Sequence, residues 1–322
     1  MGMFIQDNEG FGMSRNYNAG TRDMNQAGRV FLAAAAGRRD CSFATMDVVA
    51  DRWRLFARYA KTQGVGRMER VTPELLCRYG QHLAASVRAG EMSPAYGQNL
   101  VSAVNSVMSL VRPWPTISPT KDCGIPLRST VRKKAPASLD QTVFEAVMLD
   151  LRSNDLDRQA AVAGLARSLG LRSKEASLLN ARAALQQASG RGQIQVSDGT
   201  KGGRQRWVPV QHADQADAIR AAVGAQADGR SLVPEWSSWA QWRHGGLRDG
   251  REILKQYGIS GYHDLRAAYA CARYTELTGQ SAPVCRQGTA DDDVDDLAAR
   301  QTISQELGHD RVQVVSAYIG AR

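Results

Sequence analysis

The chain is poor in the residues that build disulfide frameworks, zinc sites and membrane spans. Its 322 residues include five cysteines and five histidines, and no two cysteines form a CxxC pair. This usage argues against a zinc site and against a disulfide framework, and it fits a reducing compartment. No apolar run approaches the roughly 18 residues that a transmembrane helix requires. The sequence therefore predicts a cytoplasmic protein with no membrane partner.

Acidic residues are also outnumbered by basic ones. The chain has 41 Lys and Arg against 32 Asp and Glu, which gives a net charge of +9 and a pI of about 9.5. A basic balance of this size favours a polyanionic partner, because cationic side chains that neutralise phosphates release counterions. Charge alone does not decide between a nucleic-acid-binding protein and a basic protein of another kind.

The first part of the chain divides into two segments by composition and apolar periodicity. Residues 1–40 are rich in Gly, Asn and Arg, and they predict a mobile arm with one short helix from Met24 to Ala36. Its arginines would touch DNA or lie in solvent. Residues 41–112 predict a bundle of consecutive helices, because apolar residues recur at intervals of three and four. Thr72-Pro73 and Ser93-Pro94 each predict a capped helix start.

The second part holds a linker and a larger domain. Residues 113–137 contain repeated prolines and a basic excess, so they predict a basic Pro-rich linker that contacts DNA. Residues 138–322 predict a mostly helical domain with short antiparallel strands between Ile194 and Val210. Ser138 with Gln141 predicts the first capping box of this domain, and the acidic stretch 278–296 predicts an exposed loop. The predicted fold class is mainly α with a small antiparallel β-sheet. The linker's DNA-binding candidates are Arg132, Lys133 and Lys134.

Phosphodiester transfer without a metal needs three kinds of side chain. A nucleophile attacks phosphorus, cationic donors hold the non-bridging oxygens, and an acid protonates the leaving oxygen. Arginine suits the second role, because its planar fork stays charged and binds phosphate at two points. The larger domain offers suitable side chains in a fixed order, namely Arg172, Lys201, His263, Arg266, His309 and Tyr318.

Each of these candidates lies in a short motif. Arg172 is in GLRSKEASLL, Lys201 is in TKGGRQRWVPV on the predicted hairpin, and HDLR places His263 and Arg266 one helical turn apart. ELGHDRVQVVSAYIG places a histidine nine residues before Tyr318. Each motif alone is weak. A lone His-x-x-Arg is usually a surface pair, and an isolated tyrosine is usually a packed aromatic. The ordered combination resembles the tyrosine recombinase family of phage and mobile-element integrases over roughly residues 140–322.

The resemblance implies the chemistry of the main candidates. Tyr318 would attack a DNA phosphate, form a covalent 3′-phosphotyrosyl link and free a 5′-hydroxyl. Arg172 and Arg266 would hold the non-bridging oxygens, and Lys201 would protonate the leaving oxygen. The link conserves the bond energy, so strand exchange would need no cofactor, no metal and no ATP.

The resemblance implies supporting roles for four further residues. His263 would assist proton transfer, and His309 would hydrogen-bond the phosphate. Glu175, three residues after Arg172, would support the turn that carries this arginine. Arg204, on the predicted hairpin, would contact DNA.

The resemblance also implies the substrate and the assembly. The predicted function is site-specific recombination of double-stranded DNA, which would integrate or excise a mobile element. A helical core-binding (SAM-like) domain over 41–112 and a catalytic domain over 138–322 would assemble as a homotetramer on two DNA sites. An accessory directionality factor is a further candidate partner. Two alternatives stay open, a catalytically silent DNA-binding protein and a type IB-like DNA-relaxing enzyme on the same fold.

Three features depart from the family pattern. The separation of Arg266 and His309 is longer than in compact relatives, and the additional residues lie in the acidic stretch. Ala267 stands where relatives often carry a further histidine. The sequence ends four residues after Tyr318, where many relatives extend into a helix that docks on a neighbouring subunit. We therefore expect subunits to dock through other contacts.

Overall fold

The fold is seen in a computed structural model that describes residues 15–38, 40, 43–286 and 294–321. The chain divides into two compact units, Met1–Ser129 and Thr130–Arg322. Among the described helices, none is both long and apolar enough to cross a bilayer. The acidic residues 291–293 lie outside the described residues.

The described part of the first unit is a helical bundle around one apolar core. Trp53 and Phe56 on the second helix are fully buried there. The predicted helix starts at Thr72 and Ser93 are confirmed, because each side chain accepts a hydrogen bond from a backbone N–H three residues on. The helices are α1 (Met24–Gly37), α2 (Phe43–Thr62), α3 (Pro73–Arg88) and α4 (Pro94–Ser109).

The structure corrects the predicted mobile arm for residues 15–38. Helix α1 packs against α2, and Met24, Ala27 and Leu32 belong to the apolar core of the unit. Trp53 Nε1 donates a hydrogen bond to Met24 O at 3.0 Å. Gly28 makes this approach possible, because a Cβ there would meet Trp53 Nε1 at 2.1 Å. The alanine-rich sequence forms a close-packed helix of the unit.

Part of the predicted linker packs into the first unit. Ile117, Cys123 and Ile125 are buried in the core of the first unit. Asn105 on α4 holds this stretch, since its side-chain amide donates to Ile117 O at 2.8 Å and its oxygen accepts from Ile117 N at 3.2 Å. The apolar residues between the prolines explain this burial, because they pack into the core of the unit. In the second unit, Arg132 N donates to Ser316 O at 2.9 Å.

The second unit confirms a mainly α fold with a small antiparallel sheet. Strands β1 (Gln193–Val196) and β2 (Arg206–Pro209) pair antiparallel, with Gln193 opposite Pro209 and Val196 opposite Arg206. The described helices are α5 (Gln141–Ser153), α6 (Asp157–Leu169), α7 (Ser173–Leu178), α8 (Ala181–Arg191), α9 (Ala213–Gln226), α10 (Trp239–His244), α11 (Gly246–Gln256), α12 (Tyr262–Thr278), α13 (Val294–Glu306) and α14 (Ser316–Ile319).

Helix α6 lies at the centre of this unit. Its small side chains are buried on nearly every side, and it packs against both α9 and α12. Gly170 follows its last residue, has a left-handed backbone (φ +63°) and lies so close to Tyr269 that a Cβ would come within 2.4 Å of that ring. Glycine is required there on both grounds. The sharp turn carries the chain directly into Arg172.

Two local predictions for this domain were wrong. Asp140, not Ser138, caps α5, because Ser138 is buried in a 3-10 turn. Asp296 is not in an exposed loop but in the first turn of α13, where it is buried and pairs with Arg300 at 2.8 Å.

Candidate active site

The structure brings five of the six predicted chemical side chains to one place in the second unit. They come from the turn after α6, from the first turns of α12, from the segment after α13 and from α14. These elements are distant in sequence, and the packing of α12 against α6, α13 and α14 gathers them. The five are Arg172, His263, Arg266, His309 and Tyr318.

Tyr318 lies at the centre of the cluster. Its side chain is buried on the short helix α14, and its hydroxyl contacts Arg266 Nε at 3.3 Å and His309 Nε2 at 3.1 Å. The ring centroid of His263 lies 5.1 Å from that of Tyr318. The phenol oxygen is therefore held between a cationic donor and an imidazole nitrogen.

Arg266 is fully buried and is fixed by helix ends. Its Nη1 and Nη2 donate to the carbonyls of Gly170 and Leu307, which follow the ends of α6 and α13. Carbonyls at helix C-termini lack intrahelical partners, so a guanidinium satisfies them well. Burial lowers the pKa of Arg266 to about 10, against the interactions with Tyr318 and Glu175 that raise it, and the side chain stays protonated at neutral pH.

Glu175 is the carboxylate that the arginines share. It accepts from Arg172 N at 2.8 Å and from Arg172 Nη1 at 2.7 Å. Arg206 binds the same carboxylate through two bonds of 3.0 and 2.7 Å, and Arg266 Nη1 lies 3.6 Å away. Burial would raise the pKa of Glu175, but the hydrogen bonds and charge of Arg206, with Arg172 and Arg266, lower it to about 2. The carboxylate thus orients three guanidiniums.

Arg206 is a residue of this site that sequence reasoning missed. It is buried on β2, and its Nε donates to Glu306 O at 2.6 Å while its Nη atoms bind Glu175. The alternation in the strand contains a signal, because Arg206 and Val208 are both buried while Trp207 between them is exposed. An arginine on the inward face of a strand indicates a buried acidic partner.

We expect Glu175→Gln to destabilise the protein by about 3–5 kcal/mol, because it leaves buried guanidiniums without their anion. The rate of DNA cleavage should fall as well. Urea unfolding measures the loss of stability. The matched control is Glu252→Gln on α11, where an exposed acid pairs with Lys255 and the free energy of unfolding should hardly change. Equal stability losses in the two variants would contradict the role given to Glu175.

The two histidines of the cluster are held neutral. His309 Nε2 lies 3.3 Å from Arg172 Nη2 and 3.5 Å from Arg266 Nη2, and a guanidinium only donates, so Nε2 is an acceptor. Desolvation, followed by the charges of Arg266, Arg172 and Arg206, lowers the pKa of His309 to about 4. Desolvation and nearby arginines also lower the pKa of His263.

The low pKa of His309 predicts that folding stability depends on pH. The unfolded state takes up this proton near pH 6.5, whereas the folded state resists protonation until about pH 4. The free energy of unfolding should therefore fall as the pH drops from 6.5 to 4, since the unfolded state binds more protons there. Urea titrations at several pH values should show a shallower slope for His309→Gln. An identical slope would contradict the assignment.

Lys201 and the predicted DNA-binding residues lie outside the cluster. Lys201 is exposed in the 3-10 turn between β1 and β2, and Lys133 and Lys134 are also exposed. Arg204 pairs with Asp310. Arg132 forms an ion pair with the buried Asp264, the neighbour of His263 in α12, so one of its contacts is internal. Contact of these residues with DNA stays a prediction.

Comparisons with known proteins give one family match and several similar solved structures. Residues 126–272 match the family model described as Integrase, a range that ends before His309 and Tyr318. No curated protein matches the chain. The structure is similar to that of the XerH site-specific recombinase bound to palindromic difH substrate in a post-cleavage complex (TM-score 0.58, 14% identity, 90% of this chain and 80% of that chain). It is also similar to the Tn1549 transposon integrase in complex with transposon right end DNA (TM-score 0.56, 11% identity, 92% and 95% covered).

At these identities the solved structures show a shared fold, and the family match adds the sequence relationship. The family match covers a little under half of the chain and, with the shared fold, supports the resemblance to the tyrosine recombinase (integrase) family. The motifs of Arg172 and Arg266 lie inside the matched range, and the motif of Tyr318 lies beyond it.

Proposed function

We propose that the chain is a site-specific DNA recombinase that cleaves and rejoins double-stranded DNA through a covalent 3′-phosphotyrosyl link at Tyr318. One observation carries the proposal. The Tyr318 hydroxyl lies within hydrogen-bond distance of both Arg266 Nε and His309 Nε2, in a site that also holds Arg172. In this proposal Tyr318 would be the nucleophile, Arg172 and Arg266 would bind the phosphate, and His309 would accept the proton.

The charge of the site favours a phosphate. Arg172, Arg206 and Arg266 share the single carboxylate of Glu175, so positive charge exceeds negative charge there. Arg206 is buried and binds that carboxylate and Glu306 O. Arg172, whose side chain is 23% exposed, is therefore the accessible guanidinium of the three. Preorganised cationic donors of this kind stabilise the charge that develops on the non-bridging oxygens.

The proton of the nucleophile has a defined acceptor. With His309 Nε2 as an acceptor, the Tyr318 O–H would donate to it, and desolvation together with the surrounding arginines lowers the pKa of His309 and keeps it neutral. As the Tyr318 oxygen bonds to phosphorus, the bond between phosphorus and the 5′-oxygen breaks. Lys201 would protonate that 5′-oxygen from the exposed turn between β1 and β2. The phosphotyrosyl bond keeps the energy for rejoining, so no ATP and no metal are required by this route.

The DNA bound in the similar structures supports DNA as the partner. XerH is bound to its difH substrate and the Tn1549 integrase to transposon end DNA, so double-stranded DNA is the proposed substrate of this chain. The proposed task is integration or excision of a mobile element by a cytoplasmic homotetramer, with an accessory directionality factor as a further partner. The assembled site disfavours a silent DNA-binding protein. The coverage of 92% of this chain, which includes the helical first unit, favours a recombinase over a DNA-relaxing enzyme.

A nicked suicide substrate tests the proposal. Duplexes from the sequence that flanks the gene, each with a nick near a candidate cleavage point, are incubated with the protein with and without EDTA. We expect a protein–DNA adduct that survives denaturing electrophoresis in both conditions, with the DNA attached to the peptide that contains Tyr318. Tight, salt-sensitive binding with no adduct across the whole set of duplexes would contradict a recombinase and favour the silent DNA-binding protein.

A plasmid assay separates the two active alternatives. Supercoiled DNA with one site and with two sites is compared under the same conditions. Recombinant products that need two sites support the recombinase. Relaxation of either plasmid without recombinants would identify a DNA-relaxing enzyme instead.

A further inference from the structure

Helix α14, which carries Tyr318, is too short to hold its own position. It has four residues, Ser316–Ile319, and its one turn is closed by Gly320 N, which donates to Ser316 O at 3.1 Å. The first turn of a helix costs more conformational freedom than its hydrogen bond returns, and the polar groups at its ends lack intrahelical partners. The place of Tyr318 therefore depends on contacts from other elements.

The guanidinium of Arg300 contacts both ends of this helix. Arg300 lies on α13 and is only 3% exposed. Its Nη1 donates to Ser316 Oγ at 3.4 Å and to Gly320 O at 3.3 Å. Ser316 is the first residue of α14 and Gly320 follows the last, so Tyr318 lies between the two contacts. One buried nitrogen, which has two N–H groups, thus spans the turn.

Arg300 belongs to a stripe of buried polar residues on α13. Asp296, Arg300 and Ser304 are spaced by four residues, so they lie on one face of the helix. Asp296 accepts from Arg300 Nε at 2.8 and 3.0 Å, and these contacts leave Nη1 for α14. Tyr274 O–H also donates to Asp296, but the ion pair does not require it. Ser304 Oγ donates to His309 O at 3.1 Å. The same face of α13 therefore holds the backbone of His309 and both ends of α14.

Arg300 differs from other groups that contact the Tyr318 segment. Arg266 and His309 reach the hydroxyl, and under the proposed function these contacts change when that oxygen bonds to phosphorus. Arg132 N binds the first carbonyl of α14 at 2.9 Å. The contacts of Arg300 lie at the two ends of the helix, so they can stay in place while the phenol oxygen reacts.

We propose that Arg300 is a positioning residue for Tyr318. It holds both ends of α14, so that the phenol stays beside His309 Nε2 and Arg266 Nε. The hold on α14 depends only on the contacts of Arg300. Its effect on cleavage rests on the proposed function of Tyr318 as the nucleophile. A core ion pair without this role would affect stability alone, whereas a positioning residue also sets the rate at saturating DNA.

Arg300→Lys tests the two-point contact with α14. Lysine keeps a positive charge for Asp296, but a single ammonium does not span this acid, Ser316 and Gly320 as the guanidinium does. We expect the single-turnover rate of adduct formation at saturating DNA to fall roughly tenfold or more, because a misplacement of about 1 Å at a reacting group can cost about 100-fold. DNA affinity, measured by electrophoretic mobility, should be unchanged, since Arg300 is buried. An unchanged rate overturns the proposal.

A double variant separates positioning from stability. Asp296→Asn combined with Arg300→Met removes both charges, so no buried charge is left without a partner. Its stability in urea should therefore exceed that of Arg300→Met alone. The contacts with both ends of α14 are still missing, so the rate of adduct formation should stay as low as in the single variant. Recovery of the rate together with stability would show a core ion pair alone and overturn the proposal.

Arg158→Lys is the matched control. Arg158 lies in the first turn of α6, and its Nη1 donates to the carbonyls of Ser231 and Leu232 at 3.4 and 3.2 Å. It is thus another partly buried arginine of the same unit that binds backbone carbonyls. The control should form the adduct at the wild-type rate, and a loss equal to that of Arg300→Lys would overturn the specific role of Arg300.

Hydrogen exchange gives a readout that does not depend on cleavage. The backbone amides of residues 316–320 should exchange faster in Arg300→Lys than in the wild type, because the turn loses contacts at its ends. They should exchange at the wild-type rate in Arg158→Lys. Unchanged exchange in Arg300→Lys overturns the proposal. A wild-type protein that never forms an adduct would reject the proposed function, and faster exchange in Arg300→Lys would still show that Arg300 holds α14.

Discussion

Replacing Tyr318 with phenylalanine is expected to abolish the covalent protein–DNA adduct and to leave DNA affinity almost unchanged. The substitution removes only the oxygen that contacts Arg266 Nε and His309 Nε2. The ring stays packed in the apolar cluster around α12 and α14, so the fold is retained. Loss of a catalytic nucleophile lowers enzymatic rates by a factor on the order of a million, and no adduct should be visible.

Two measurements are needed to interpret this variant. Electrophoretic mobility in a salt series reports DNA affinity, and the suicide substrate reports the adduct. Tyr274→Phe is the matched control, because Tyr274 is a buried tyrosine of the same unit whose hydroxyl donates to Asp296 at 2.9 Å. It should cleave DNA like the wild type. An adduct formed by the Tyr318 variant would show that another side chain is the nucleophile.

The fold was predictable where local chemistry decides it. The caps at Thr72 and Ser93 satisfy backbone donors within three residues, so the sequence alone marks these helix starts. The sequence predicts the helix α1 but not its packing. That packing depends on a glycine that admits the indole of Trp53, and Trp53 lies on α2, which begins 19 residues after the start of α1. The burial of Asp296 depends in the same way on its partners Arg300 and Tyr274.

The candidate site shows the same division. Residue types in the right order identified Arg172, Arg266, His309 and Tyr318, because each lies in a motif with its own chemical signature. Arg206 has no such motif of its own and only the weak signal of strand alternation: its partners are Glu175, 31 residues earlier, and the carbonyl of Glu306, 100 residues later. Only the folded arrangement shows that this arginine is part of the cluster.

Arg266→Lys is expected to lower the rate of cleavage by about 10²–10³, the usual effect of losing a preorganised donor, while DNA affinity falls modestly. Lysine keeps the positive charge, but it cannot span the three directions that the guanidinium serves. Arg266 binds Gly170 O, Leu307 O and the Tyr318 hydroxyl through three different nitrogens. A single ammonium leaves at least one of these acceptors without its donor and releases the phenol.

Single-turnover adduct formation measures this effect independently of product release. Arg273→Lys is the matched control, because Arg273 lies on the same helix and pairs with Glu276 and Glu306, and an ammonium should keep the ion pair with at least one of these acids. The rate in this control should be close to that of the wild type. If both variants cleave equally fast, Arg266 contributes only charge. A loss of cleavage rate in the Arg266 variant alone would mean that the guanidinium between the ends of α6 and α13 orients the nucleophile.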